Sequence, residues 1–573
     1  MGLKDVERPL SSPGMLDEFS IKRAGLSMLP VVMCALAYIY CIALSVTPVS
    51  HVKGLNTSLW ISQELLRLGQ WIPLNLGLRQ EFYASMGDTG YLELVVLLLL
   101  TFVVYGVGLF LIYQRALYFS AIQWLIWLVV LISGCIYLFT PGILGSDVFS
   151  YASYGRLVSV HSANPYFVSP SAFPHDPTYP FLYWRFTISS YGPLWTDMSA
   201  LLTLVAGAEP FRLLIAFRVF AFAAHLLNTV LVAATLNAMG RSMRTVTLGM
   251  LLYAWNPLVL VESSLGAHND VFVVTFILLG LWLCARAEKR RITQLRAYVL
   301  PLVAFTLAAL VKYITAPLIA IFIITLFVRT LRYGGEKQTR AAIAACINAL
   351  VAWCICLSTM LALYTPFWIG HTIPLIVNSF ASVPLEQQVR NSLLFTIDSW
   401  NSAHLLPPSL QFLTERNLWS IITVVAAIVP VLIGLLALWR APDTSTVALV
   451  SLASLGGLLL FTPWFFDWYI IWLVGLAAVC LPVMYDRIAR ALVAFALTFS
   501  ATANFIYCSA LMDWVLLGYH PSYINVITWI SWMCLAIFGV PLLVLLIFLT
   551  NWPLVLLKGC SLTRGSLVQK SLF

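Results

Sequence analysis

The sequence predicts an all-α fold, a polytopic transmembrane helical bundle of about fourteen crossings with ordered outer loops. Three observations carry that prediction. Of the 573 residues, 61% are hydrophobic and only 10% charged, against about 25% charged in a soluble globular domain. The apolar residues fall in runs of roughly 17 to 25, the length a helix needs to cross a hydrocarbon core. The short stretches between runs hold almost all the charges, and no run shows the dyad alternation of barrel strands.

The first crossing, 26–46, follows a polar stretch and lacks a cleavage site, so it is expected to remain as an anchor. Crossings at 91–113 and 119–140 are separated by a short linker carrying Arg115. Those at 213–239, 246–262 and 271–284 alternate basic linkers with acidic ones. Segment 194–208 is short, contains Asp197 and Gly207, and reads as a re-entrant or interfacial helix. Crossings at 298–311 and 314–328 flank Lys312 and Tyr313. The remainder are 342–364, 418–438, 447–462, 468–483, 491–510 and 526–549. With no visible internal repeat, residues 26–550 read as one membrane domain, between cytoplasmic tails 1–25 and 551–573.

Orientation follows from the lysines and arginines, whose excess marks the cytoplasmic side. With the N-terminus inside, the inner segments hold 22 of the 32 basic residues, and 15 of the 23 acidic residues fall outside or within the membrane. The net charge of +9 is then a topology signal, and nucleic acid is excluded as a partner. The 11 cysteines lie in apolar runs or in the tail at Cys560, with neither a disulfide framework nor metal-ligand spacing.

Three outer loops, 50–90, 141–211 and 365–417, are too long for simple turns. They are rich in Trp, Tyr, Pro and Asn, so order is expected. The densest polar constellation follows the third crossing: Gly145-Ser146-Asp147-Val148-Phe149-Ser150-Tyr151, then Tyr154-Gly155-Arg156, Asn164-Pro165-Tyr166 and Tyr191-Gly192-Pro193-Leu194. If 147–156 is helical, Asp147, Tyr151 and Tyr154 share a face, because spacings of three and four project together. The plain alternative is an Asp that caps a helix beside an aromatic belt.

Further on, Asn256-Pro257 and Gly266-Ala267-His268-Asn269-Asp270 lie at the ends of crossings. His268, Asn269 and Asp270 gather hydrogen-bonding groups and a second carboxylate there, although Asn and Asp are also good helix caps. Lys312 stands in an otherwise apolar stretch, where an ionisable group is costly and functional by default, unless it snorkels to the interface. Pro463-Trp464-Phe465-Phe466-Asp467-Trp468-Tyr469 sits at a helix mouth, where Trp464, Asp467 and Trp468 are expected to act as interfacial anchors.

The order and common outer placement of these motifs resemble the GT-C class of membrane glycosyltransferases. Within that class, the chain is similar to the polyprenyl-phosphate-mannose-dependent mannosyltransferases of the actinobacterial α-1,6-mannan type, over roughly residues 140 to 320. The resemblance implies a GT-C-like fold and transfer of a hexose, with mannose the expected one, from a polyprenyl-phosphate sugar donor. The acceptor would be a glycolipid or glycan on the outer face, and the transfer would invert the anomeric carbon. Asp147 inherits the role of general base. Tyr151, Tyr154, Arg156, Asn164, Tyr166, Tyr191, His268, Asn269, Asp270 and Lys312 are the expected donor- and substrate-binding residues, with Arg185 and Arg212 as further candidates for the phosphate.

The implied setting is the plasma membrane, with the lipid bilayer as partner, both termini cytoplasmic, and no cofactor. Two departures stand out. The aspartate follows the third crossing, where many relatives have it after the first. The paired acidic motif of some branches is absent around Asp147, so no metal is expected. Two other classes remain open: a secondary transporter, which calls for inverted repeats and midplane ionisable groups, and a non-catalytic or ligase subunit of envelope glycan assembly.

Overall fold

The computed structural model describes residues 13–51, 60–64, 89–115, 119–290, 294–333, 338–381, 389–484, 486–508 and 523–550. Most of the 50–90 loop, part of the 365–417 loop, residues 1–12 of the N-terminal tail and the C-terminal tail lie outside them. The described residues form a polytopic bundle of helices without a β-strand, apart from a single bridge between Arg390 and Trp464.

Among the described residues, eleven helices are long and apolar enough to cross a membrane, and each coincides with one of the expected crossings. The other three expected crossings differ. Leu295–Val311 and Asp467–Cys480 are shorter apolar helices. The run expected to cross over 246–262 is two helices, Met243–Ala254 and Pro257–Ser264, bent by 53°. Proline explains the break, because it lacks a backbone N–H and forces the residue before it out of the helical region. Asn256 is accordingly extended, with φ −60° and ψ 118°, and its side chain accepts from the Val259 N–H to start the second helix. The bend brings Glu262, near the end of that second helix, into the protein interior, where it is 1% exposed.

The 141–211 loop is ordered in the structure. It holds a helix, Asp147–Ser159, and a second, Pro193–Ala206, of 14 residues. At 1.5 Å per residue the second helix is about 21 Å long, too short for a hydrocarbon core of about 30 Å. Near the centre of the bundle, all ten residues of Ile471–Cys480 are buried, as expected of a helix that is apolar all round. Helix Pro210–Ala238 packs against Asp270–Lys289, and its Arg218 is wholly buried.

Arg218 organises the approach to the site. Its guanidinium donates to the backbone carbonyls of Leu265 at 2.9 Å, Leu138 at 3.2 Å, Gly142 at 2.7 Å, and Thr140. One side chain therefore ties the connector leading into Asp147 to the turn leading into His268. A buried guanidinium is tolerated when its N–H groups are satisfied, and here carbonyl dipoles surround it.

Candidate active site

A cavity of about 280 Å³ lies where these segments converge, with Asp147, Tyr151, Tyr191, Lys312, Trp464 and Trp468 among its lining residues. Helix Asp147–Ser159 presents Asp147, Tyr151 and Tyr154 to it. Asp147 is the first residue of the helix, and the capping position belongs to Ser146, whose side chain makes no cap hydrogen bond. The Asp147 side chain is 19% exposed, and its Oδ2 lies 3.9 Å from His268 Nε2. Burial pushes its carboxyl above the ordinary carboxylate range, while His268 and Lys312 pull it back.

His268 is fixed from several sides. Its Nδ1 is 2.6 Å from Glu262 Oε2, and its ring stacks on Trp468 at 3.9 Å between centroids. The turn that presents it needs a glycine: a Cβ on Gly266 would stand 2.6 Å from His268 Nδ1 and 2.7 Å from Glu262 Oε2. Ala267 takes a left-handed φ of 56° in the same turn. Behind His268, Tyr507 hydrogen-bonds Glu262, and the wholly buried Asp467 completes the cluster. Burial holds the His268 imidazole below its ordinary range, with the neighbouring acids opposing.

Lys312 does not snorkel. Its Nζ is 2.8 Å from Asp270 Oδ1, with Asp270 at 0% and Lys312 at 16% side-chain exposure, and it also lies 4.1 Å from the centre of the Tyr469 ring. The lysine sits in the break between Leu295–Val311 and Tyr313–Tyr333, in extended conformation. Gly192 presses directly on that break. Its N–H donates to Val311 O at 3.2 Å, and a Cβ there would fall 1.9 Å from Leu310 O. The Tyr191-Gly192-Pro193 turn thus brings Tyr191 beside Lys312 in the cavity wall.

The remaining expected residues divide. Asn269 accepts from the Tyr151 hydroxyl at 3.4 Å, and its side chain makes no cap hydrogen bond to the following helix. Tyr166, 4% exposed, donates to Tyr191 O at 3.0 Å, behind the cavity wall. Asn164 spans the Phe367 carbonyl at 2.6 Å and the Tyr166 N–H at 3.1 Å, pinning its loop to the end of helix Gln338–Trp368. Arg156 is drawn away altogether: its Nε is 2.9 Å from Asp176 Oδ2, and Nη1 reaches Gly207 O at 3.3 Å. Arg185 folds back on its own loop, over the Tyr179 ring and onto Leu182 O.

Asp176 is the hub of that loop. It accepts from Arg156, from His161 at 2.8 Å, and from the N–H and hydroxyl of Thr178. Burial pushes its carboxyl up, but these hydrogen bonds outweigh that and hold it below the ordinary range.

Glu262 and Tyr507 were not expected at the site from the sequence. Trp464 and Trp468, read as anchors, stand in the cavity wall. The Asn256-Pro257 dipeptide was the signal that could have located Glu262, since it marks the bend that turns that residue inward. Among the described residues, no group of three or more His, Cys, Asp or Glu is placed to hold a metal ion.

A carboxylate and an ammonium thus share one aromatic-walled cavity, the first able to take a proton and the second to compensate an anion. Residues 53–329 match the family described as alpha-(1->6)-mannopyranosyltransferase, N-terminal domain. That stretch contains Asp147, Glu262, His268, Asp270 and Lys312. No curated protein matches the chain significantly. The family match bears out the resemblance drawn from the motifs, and supports a mannosyltransferase of the actinobacterial type and mannosyl transfer as the chemistry.

Proposed function

We propose that the chain transfers a hexose, mannose by its family, from a polyprenyl-phosphate donor to a glycolipid or glycan acceptor at the outer face, with inversion. The observation that carries this reading is the placing of Asp147 and Lys312 in the same cavity. The family match over residues 53–329 supports the sugar; the geometry supports the division of labour.

In the proposed step, the acceptor hydroxyl gives its proton to the Asp147 carboxylate as its oxygen bonds to the anomeric carbon. The bond from that carbon to the phosphate oxygen breaks, and its electron pair leaves with the polyprenyl phosphate. Lys312 compensates the charge that collects on the phosphate, where a preformed cation in a partly dry site is most effective. Attack opposite the leaving group in a single displacement gives inversion. His268, beside Asp147 and backed by Glu262, positions the base. A cavity of about 280 Å³ falls just below the range of ligand sites, about 300 to 1,000 Å³. It suits the sugar phosphate, leaving the polyprenyl chain in the bilayer.

The broken helix pair at 243–264 favours one other reading, since secondary transporters build their sites at interrupted helices. Both readings meet the same experiment. Membranes containing the protein are given radiolabelled polyprenyl-phosphate mannose, glucose or arabinose with a panel of glycolipid acceptors. Labelled product from the mannose donor, of anomeric configuration opposite to the donor, is expected. No product from any donor would overturn transfer and leave solute uptake into proteoliposomes as the activity to measure.

A further inference from the structure

One wall of the cavity is a continuous run of aromatic rings. Trp184 lies 5.7 Å from Trp464, Trp464 lies 5.6 Å from Phe466, and Phe466 stacks on Trp468 at 4.3 Å, all between ring centroids. Trp468 in turn stacks on His268 at 3.9 Å, so the run ends beside the imidazole that faces Asp147. At its other end Trp184 meets Tyr183 at 4.7 Å. Tyr183 is 62% exposed and carries the Arg390 guanidinium over its ring at 5.5 Å.

The run is assembled from segments distant in sequence. Residues 183–184 come from the 141–211 loop, and residues 464–468 from the mouth of the buried helix Asp467–Cys480. Backbone hydrogen bonds from Arg390 N to Pro463 O and from Phe465 N to Arg390 O, both 3.1 Å, fasten the 365–417 loop alongside. None of the four rings belongs to a helix long enough to cross a membrane. All four line the cavity, next to the hydroxyl-bearing residues Thr187, Ser190 and Thr462.

We infer that this run is the acceptor subsite, and that it takes an acceptor carrying a hexopyranose at the end to be extended. The inference rests on the transfer reading given above. A hexopyranose has an apolar C–H face and a rim of hydroxyls. Aromatic surface edged by hydroxyls matches both, as amphipathic sites do when they bind amphipathic ligands. Direction supports the acceptor over the donor. The run leads from an exposed rim to the carboxylate that must meet the attacking hydroxyl, whereas Lys312, the cation suited to the donor phosphate, lies over Tyr469, which meets the run only edge-on at Phe466 and Trp468, and over Trp472 behind it. An isoprenoid chain would lie against the membrane-crossing helices instead.

The test compares Trp184→Leu, Trp184→Phe and Trp464→Leu with wild type in lipid nanodiscs, each checked for monodispersity by gel filtration. Acceptor and donor KM are measured separately. In an Asp147→Asn background, which removes turnover, binding of a manno-oligosaccharide and of polyprenyl phosphate alone is followed by titration calorimetry. The acceptor KM and the oligosaccharide Kd are expected to rise about five- to tenfold in the leucine variants, with most of the loss restored by Trp184→Phe.

Donor KM and polyprenyl-phosphate Kd are expected to move by less than about twofold. Losses that fall on the donor instead, on neither ligand, or equally on the Leu and Phe variants would overturn the subsite. Transfer that proceeds without dependence on Trp184 or Trp464 would remove the subsite and leave the transferase. Tryptophan-dependent binding of the oligosaccharide without transfer from any donor would keep the subsite and remove the transferase.

Discussion

Lys312 Nζ stands 2.8 Å and 2.9 Å from the two carboxylate oxygens of Asp270, a pair made across 42 residues of sequence. Each charge makes the other tolerable, because an unpaired ion at 0% exposure would be strongly disfavoured. Lys312 lines the cavity with Asp270 buried behind it, so an anion can approach the lysine without the lysine having first to leave a bulk-solvated state.

Removing the cation separates its two roles. Lys312→Met leaves Asp270 buried and unpaired, and about 3 kcal/mol or more of stability is expected to go with it. The double variant Lys312→Met/Asp270→Asn is expected to regain most of that stability while transfer stays down about 100-fold. Thermal unfolding in detergent alongside the transfer assay checks both. Recovery of activity together with stability would make the pair purely structural.

Lys312 also lowers the Asp147 carboxyl, against the larger upward push of burial. As the proposed base, Asp147 must be ionised to work, so transfer is expected to fail as pH drops through a value above the ordinary carboxylate value of about 4. Weakening that cation moves the acidic limb of the pH–rate profile to higher pH. The residual activity of Lys312→Met, followed against pH, should show the limb displaced upward, and a limb displaced downward would contradict the placing of these charges.

The Gly266 turn gives a second handle. Ala in its place would push into His268 and Glu262, so Gly266→Ala is expected to tilt the imidazole off Trp468 and lower transfer by about tenfold or more, a displacement effect of the kind that mispositioning produces. Gel filtration and unfolding should show the bundle intact. Wild-type turnover in this variant would mean His268 has no positioning role.

The motif order was legible without a structure because each piece is local: an aspartate beyond a crossing, tyrosines three and four residues apart, a glycine before a proline. What the pieces pair with was not. Arg156, a reasonable phosphate ligand by charge, is neutralised by Asp176 across 20 residues, and Glu262 reaches Tyr507 across 245. Such pairings depend on how helices pack, which no local pattern encodes. The crossing at 246–262 failed as a continuous helix because hydropathy counts apolar residues without registering the break that the structure shows at Asn256-Pro257.

Asp176 sets a pH window for the loop. Its folded carboxyl is depressed, so its stabilising share is complete above the unfolded value of about 4 and is lost as pH falls through the lower folded one. Asp176→Asn, which strands Arg156 at 6% exposure, is expected to cost about 3 kcal/mol at neutral pH. The gap in Tm between this variant and wild type should narrow below about pH 4. A gap that is constant down to pH 3 would contradict the assignment.

Arg218 acts at a distance, through the carbonyls on both sides of the site. Arg218→Lys keeps the charge but cannot reach four acceptors, and is expected to lower kcat by about tenfold with little change in either KM. A purely structural residue would instead lower the yield of folded protein and leave the kcat of what remains unchanged.

The most direct measurement is the transfer rate of Asp147→Asn at saturating donor and acceptor, with folding and donor binding confirmed against wild type. The amide is nearly isosteric but cannot accept the proton, so the rate is expected to fall about 1,000-fold or more, with donor still bound. Transfer within about tenfold of wild type would contradict Asp147 as the base and direct the search to Asp270.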